Sequence, residues 1–320
     1  MEPPDSKEKD NLDKDYGSML GLEDAEPIGF SKVFEEFKSL NYRELIPLEK
    51  IFNKSILNKK AVRWILIFGL IPLIYAWYVR ESNLDFTQVV WLIEIYFCLF
   101  WAIFFYGIIQ PSKTIWKQGI GYALFTALIG IPILLSLQTL PVIKNLYDET
   151  NSNSLADNLI GFIFGVGILE ETCKAFPLII FGLRKKTIKN IHDGMFLGLL
   201  SGLGFAASEG VTYTVRATAN AIYYGNATGQ VLTFLHRIIS GPLQHGTWAG
   251  ISGWFIAVAA QKEGKKWPTI TVGILFMALL HGLYDSFADS FIGIIVAALG
   301  YLVFMAYLIH NNKIEENTTN

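Results

Sequence analysis

The sequence predicts an all-α protein, a polytopic bundle of about eight transmembrane helices with both termini in the cytosol. Three observations lead there. Of its 320 residues, 52% are hydrophobic and only 17% are charged, a balance too apolar for an ordinary soluble domain. The charge is segregated: residues 1–60 hold a dense run of Lys, Glu and Asp, whereas long stretches after Val62 lack any ionisable group. The basic residues of the connecting segments then alternate between rich and poor along the chain.

Residues 1–27 are acidic and rich in turn formers, which reads as a disordered cytosolic tail. In the stretch that follows, Phe30, Val33, Phe34 and Phe37 recur at helical spacing with charges between them. Such a helix lies on the inner leaflet or docks on the membrane domain, or else stands alone in solvent. The N-terminus lacks the apolar core and small-residue cleavage site of a secretory signal, so the first apolar span is expected to serve as the insertion signal and remain.

Eight segments meet the need for roughly 17–25 mostly apolar residues per helical span: 61–79, 87–109, 115–137, 159–183, 194–215, 231–260, 268–287 and 291–309. The sixth is interrupted at Gly241-Pro242, where proline lacks an amide hydrogen. The chain therefore divides into a cytosolic segment 1–60, a transmembrane domain 61–310 and a short cytosolic tail 311–320.

Orientation follows from Lys and Arg, because cationic loops resist translocation. With the N-terminus inside, the inner segments carry Lys54, Lys59, Lys60, Arg63, Lys113, Lys117, Arg184, Lys185, Lys186, Lys189, Lys262, Lys265, Lys266 and Lys313. The outer ones carry only Arg80, Lys144 and Arg216. Net charge is −2, which gives no case for nucleic acid as a partner. Cys98 and Cys173 both fall in apolar segments, so neither a disulfide framework nor a paired-thiol metal site is expected.

Ionisable groups at membrane depth cost several kcal/mol unless paired or facing a polar cavity, so each needs a reason. The fourth span contains Glu170, Glu171 and Lys174. Lysine sits four and three residues after the two glutamates, so it can neutralise one carboxylate within its own helix. The other points about 100° away, toward another neighbour or a wet cavity. The fifth span places Gly194, Gly198 and Gly202 in a stripe that admits a close helix neighbour. Phe205 and Glu209 share one of its faces.

The sixth span supplies His236, Arg237 and His245, and the seventh supplies His281 and Asp285, four apart, so that the carboxylate can orient the imidazole. A single buried histidine is usually a packing residue. Four adjacent spans each carrying charge are stable in lipid mainly by meeting one another. Elsewhere the bland reading comes first: Glu94 takes a structural hydrogen bond or a shifted span, and Asp193 suits a helix N-terminus.

At these residues the sequence resembles the PrsW family of intramembrane proteases, more distantly related to the CAAX-processing and Abi membrane endopeptidases. The matching pieces are EExxK at Glu170-Glu171-Thr172-Cys173-Lys174, FxxxE from Phe205 to Glu209 and HxxxD from His281 to Asp285. DGMFLGLLSGLGFAASE and PLQHGTW support them. One position departs: the family usually has Asn after Glu209, and this chain has Gly210.

The resemblance implies an intramembrane endopeptidase of the bacterial inner (cell) membrane that hydrolyses a single-span, membrane-anchored regulatory protein, an anti-sigma factor being one such substrate, at a Glu/His site between the bilayer midplane and the outer surface. Without a serine or cysteine nucleophile, Glu170 or Glu171 is expected to activate water, with His245 and His281 holding the oxyanion or protonating the leaving amine. Lys174 neutralises the second carboxylate, Glu209 orients water or a histidine, and Asp285 orients His281. Zinc is the alternative chemistry, although no HExxH pair is present and the metal-free scheme is favoured on that ground. Two other function classes compete: a proton-coupled transporter and a noncatalytic receptor. Inverted-repeat transporters have matching halves, which the first and last four spans do not show.

Overall fold

The computed structural model describes residues 55, 58–82, 84–225, 227–263, 265–288 and 290–319. The acidic tail and the amphipathic helix expected before residue 55 lie outside them. Among the described residues every regular element is helical and no strand occurs. The chain divides into two compact units, Met1–Gly69 and Leu70–Asn320.

The described part of the first unit is chiefly the beginning of α1 (Lys60–Glu81), where the rings of Trp64 and Phe68 stack 6.0 Å apart. Later in α1, Leu73 and Trp77 remain about two-thirds exposed, at 66% and 65%. Bare apolar surface of that kind suits a lipid-facing helix.

α2 (Phe86–Ile109) begins with a capping box in which Asp85 and Gln88 exchange side-chain and backbone hydrogen bonds, satisfying two orphan amides of the first turn. The next span is composite: α3 (Ile115–Phe125), a π turn Thr126–Gly130, and α4 (Ile131–Leu137). The π turn precedes Pro132. Proline crowds the carbonyl four residues before it and offers no donor, and a widened turn absorbs that mismatch.

The 140–157 connection expected as an outer loop is largely helical. α5 (Pro141–Asp148) and a 3-10 turn (Glu149–Asn151) fold against the following segment. Close approach requires glycine there: a Cβ on Gly165 would lie 2.8 Å from the backbone of Leu146 and Tyr147. That segment is α6 (Leu155–Ile160), a π turn Gly161–Gly167, α7 (Ile168–Pro177) and a second π turn Leu178–Leu183.

α8 (Ile191–Tyr224) is the central helix, buried along most of its length and packed on α2, α3 and the later α10. It runs past the expected end near residue 215 because no breaker intervenes until Gly225, which closes it at φ 68°. Its N-cap is Asn190, whose side chain accepts from the Asp193 amide at 2.7 Å. Asp193 is therefore not the cap; its carboxylate accepts from the Ser112 amide at 2.7 Å and the Ser112 hydroxyl at 2.9 Å, pinning the α2–α3 connection.

α9 (Ala227–Leu235), a π turn His236–Ser240 and α10 (Gly241–Gln261) form one unbroken helical run. As after α3, the widened turn precedes a proline, here Pro242, so the expected interruption is a change of helical register rather than a break in the chain. α11 (Trp267–Ser286) and α12 (Phe291–Thr319) follow.

The glycine stripe of α8 faces α10. A Cβ on Gly198 would collide with the Ala249 carbonyl, and one on Gly202 with the His245 carbonyl. The two backbones are in direct contact, as small-residue stripes allow. Six helices among the described residues are long and apolar enough to cross a membrane: α1, α2, the composite α3–α4 span, α8, α11 and α12. Cys98 and Cys173 are free thiols, and Cys98 donates to the Leu203 carbonyl at 3.3 Å.

Candidate active site

α7, α8, α10 and α11 bring Glu170, Glu171, Lys174, Phe205, Glu209, His245, His281 and Asp285 to one place. On α7, Lys174 is wholly buried with its Nζ 2.8 Å from Glu171 Oε1 and 3.5 Å from Glu170 Oε2. The same ammonium stands 4.5 Å above the Phe205 ring of α8, so the aromatic face covers the side of the charge that the carboxylates leave open. The Lys174 carbonyl accepts from Ser201 at 2.7 Å, and the Ser201 hydroxyl meets that of Thr126 at 2.7 Å. This polar chain fixes α7 against α8 and the π turn that follows α3.

Glu209 on α8 lies 2.8 Å from His245 Nε2 and 3.9 Å from the Arg237 guanidinium, which stacks 3.8 Å over the Tyr213 ring. His281 on α11 has Nδ1 3.0 Å from Glu171 Oε1, while Nε2 is 3.3 Å from Asp285 Oδ2 and 3.5 Å from Glu170 Oε2. The imidazoles of His245 and His281 sit 5.6 Å apart, centroid to centroid, with Trp248 packed 5.3 Å from His281.

These groups border a cavity of about 310 Å³. Glu170, Glu209, His245, His281 and Asp285 line it, and Glu171 does not. The two adjacent glutamates thus divide as helical geometry requires: one is committed to Lys174 and a histidine behind the wall, and the other faces open space. Asp285, expected to orient His281, stands 3.3 Å from its Nε2, and Glu171 holds the other nitrogen. The Nδ1–Glu171 contact crosses helices, from α11 to α7, and adds a second carboxylate to the one expected within α11.

Four carboxylates share this cluster with two permanent cations, Lys174 and Arg237, so it has room for further positive charge. One ligand atom from each of Glu170, His245 and His281 lies within 4.8 Å of the other two. His245 sets Nε2 against Glu209 and His281 sets Nδ1 against Glu171, contacts of the kind that fix tautomer and ring orientation at metal sites. His245 Nδ1 and Glu170 Oε2 are buried with no hydrogen-bond partner among the described residues. Unused donors of this kind fit a divalent cation.

Sequence reading passed over several neighbours. Tyr284 hydrogen-bonds His236 at 2.7 Å, and both line the cavity with Tyr147 from α5. Aromatic residues in membrane helices carry no distinguishing signal. Glu94 on α2 is fully buried rather than shifted to an interface, and the structural hydrogen bond expected for it is absent, since neither carboxylate oxygen has a partner among the described residues. Its carboxyl group packs on Gly210, where a Cβ would lie 2.6 Å from Glu94 Cδ.

A family model described as PrsW family intramembrane metalloprotease matches residues 115–310. Among curated relatives, Protease PrsW of Halalkalibacterium halodurans is 27% identical over 172 residues, 53% of this chain and 71% of that protein. Protease PrsW of Oceanobacillus iheyensis is 25% identical over 193 residues, covering 60% and 84%. Protease PrsW of Shouchella clausii is 25% identical over 163 residues, covering 51% and 70%. No solved structure matches the chain.

Proposed function

Because the chain belongs to the PrsW family of intramembrane metalloproteases, we propose that it hydrolyses a membrane-anchored protein at the cluster of Glu170, His245 and His281. Family membership makes it a protease, hence a hydrolase, of the membrane. The observation that carries the site assignment is a pair of buried atoms bordering one polar cavity: His245 Nδ1, with no hydrogen-bond partner among the described residues, and Glu170 Oε2, with only 3.5 Å ion-pair contacts to Lys174 and His281. Orphaned polar groups are costly in a bundle interior, so their retention favours an occupant that they bind or act upon.

Peptide hydrolysis needs an activated water, a stabilised oxyanion and a proton for the departing amine. Glu170 faces the cavity and takes the proton from water, returning it to the amine. His281 and His245 flank the same space, where their ring nitrogens hold the oxyanion. Glu171 fixes the ring of His281, Glu209 fixes that of His245, and Lys174 offsets the charge of Glu171. Asp285 borders His281 on the cavity side.

Glu170, His245 and His281 are also the residues that would hold the metal the family description implies. A divalent cation supplies Lewis-acid polarisation of the scissile carbonyl and a more acidic water. Metal analysis of the purified chain assigns Glu170: a bound ion removed by Glu170→Gln makes it a ligand, and a metal-free active enzyme makes it the base.

The reading extends to eight spans with both termini cytosolic, the two added to the six being the helical runs 155–183 and 227–261. Loop charge supports that orientation. Residues 1–60 form the cytosolic segment, 61–310 the catalytic domain and 311–320 the inner tail. The substrate is a single-span regulatory protein, an anti-sigma factor being one candidate, and the location is a bacterial cell membrane, a reading supported by the bacterial source of the relatives.

The deciding experiment is cleavage of a co-expressed single-span substrate by wild type, Glu170→Gln and His281→Asn, with melting of each purified variant measured in detergent. Loss of cleavage in folded variants supports the assignment; full activity in both removes it.

A further inference from the structure

Arg216 is a cation on the cavity wall to which neither the chemistry above nor the packing gives a task. It stands seven residues after Glu209 on α8, two helical turns that return to nearly the same face about 10 Å farther along the axis. Both residues border the cavity, with Thr212 and Tyr213 between them.

The neighbouring cations are committed. Arg237 is held by Glu209 and the Tyr213 ring, and Lys144 by Asp148 at 2.5 Å. Arg216 is exposed, and no ion pair or hydrogen bond engages its guanidinium among the described residues. An arginine with its planar fork free, set beside a space that a polypeptide must enter, matches a carboxylate.

We propose that Arg216 is a specificity-determining subsite that receives an acidic side chain of the substrate on the extracytoplasmic side of the cut. This rests on the reading of the Glu170 cluster as the place of cleavage. A scissile carbonyl is open to attack only where the substrate helix has unwound, and extended backbone advances about 3.3 Å per residue. Glu209 touches His245 of the cluster at 2.8 Å, so the roughly 10 Å from Glu209 to Arg216 places the acidic residue about three positions from the cleaved bond.

The test uses the full chain in detergent and fluorogenic single-span peptides carrying Asp, Asn or Lys at each of the five positions outward of a cut located by mass spectrometry. Wild type is expected to cleave the Asp peptide about two- to five-fold faster than the Lys peptide at the third position or its immediate neighbour, the range of a partly exposed ion pair. Arg216→Lys keeps that order, and Arg216→Glu reverses it. An Asp preference that persists in Arg216→Glu, or no charge preference in wild type, overturns the subsite and leaves the protease reading standing. Cleavage that survives Glu170→Gln at the wild-type rate instead removes the underlying site and the subsite with it.

Discussion

The Nδ1 atom of His281 lies 3.0 Å from the same Glu171 oxygen that receives Lys174 Nζ at 2.8 Å. Glu171 is thus committed twice, to a lysine on its own helix and to a histidine on α11, and its side chain is fully buried. Adjacent Glu170, facing the cavity, has no comparable commitment. The two glutamates should fail differently when changed.

Glu171→Gln leaves the buried Lys174 ammonium with no carboxylate nearer than Glu170 at 3.5 Å, and breaking a buried pair costs about 3–5 kcal/mol. Lower yield and a clearly lower melting temperature are expected together with lost activity. Glu170→Gln should melt near wild type while cleavage falls by about 10²–10⁴-fold. Equal melting of the two variants would show that Glu171 is not the structural member.

Metal content gives a readout independent of turnover. If Glu170, His245 and His281 hold a divalent cation, elemental analysis should find it in wild type and lose it in His245→Asn and His281→Asn. Glu209→Gln removes the carboxylate behind His245 and should weaken metal affinity by about 10–100-fold. Retention of the ion in both histidine variants would rule out this donor set.

The topology predicts that the connection between α5 and α6 faces outward. Asn153 is exposed, whereas Ser154 caps α6, so Asn153→Cys is the less disruptive label position. A membrane-impermeant thiol reagent should modify it in intact cells. Modification only after permeabilisation would reverse the orientation.

Gly210 and Glu94 form a steric pair. Gly210→Asn places a Cβ against the Glu94 carboxyl group, and overpacking of this kind costs about 1–3 kcal/mol. Glu94→Ala in the same chain should recover most of the lost melting temperature, whereas Glu94→Gln, of nearly equal shape, should alter cleavage little. An additive double mutant would show that the two positions are uncoupled.

Much of the cluster was legible because charges in an apolar chain stand out and spacing of three or four residues names neighbours on one helix. Glu170, Glu171 and Lys174 were readable as a triplet in this way, and Gly194, Gly198 and Gly202 as a contact stripe. Partners across helices were not. Spacing named Asp285 as a neighbour of His281, 3.3 Å away, but not Glu171, which the packing of α7 on α11 sets against the other ring nitrogen. The pairing of Glu94 with Gly210 was hidden for the same reason. α5 escaped notice because a short amphipathic helix stabilised by docking on glycines has too few turns to register as a periodic pattern.

Where α8 crosses α10, carbonyl oxygens of one helix fill the places that side chains would occupy on the other. No layer of rotamers lies between them to rearrange, so the pair can shear or part only by losing contact along its whole length. Glu209 and His245 ride on this plate and keep their mutual geometry while the bundle breathes. The movement that admits a polypeptide then falls to the helices packed through side chains.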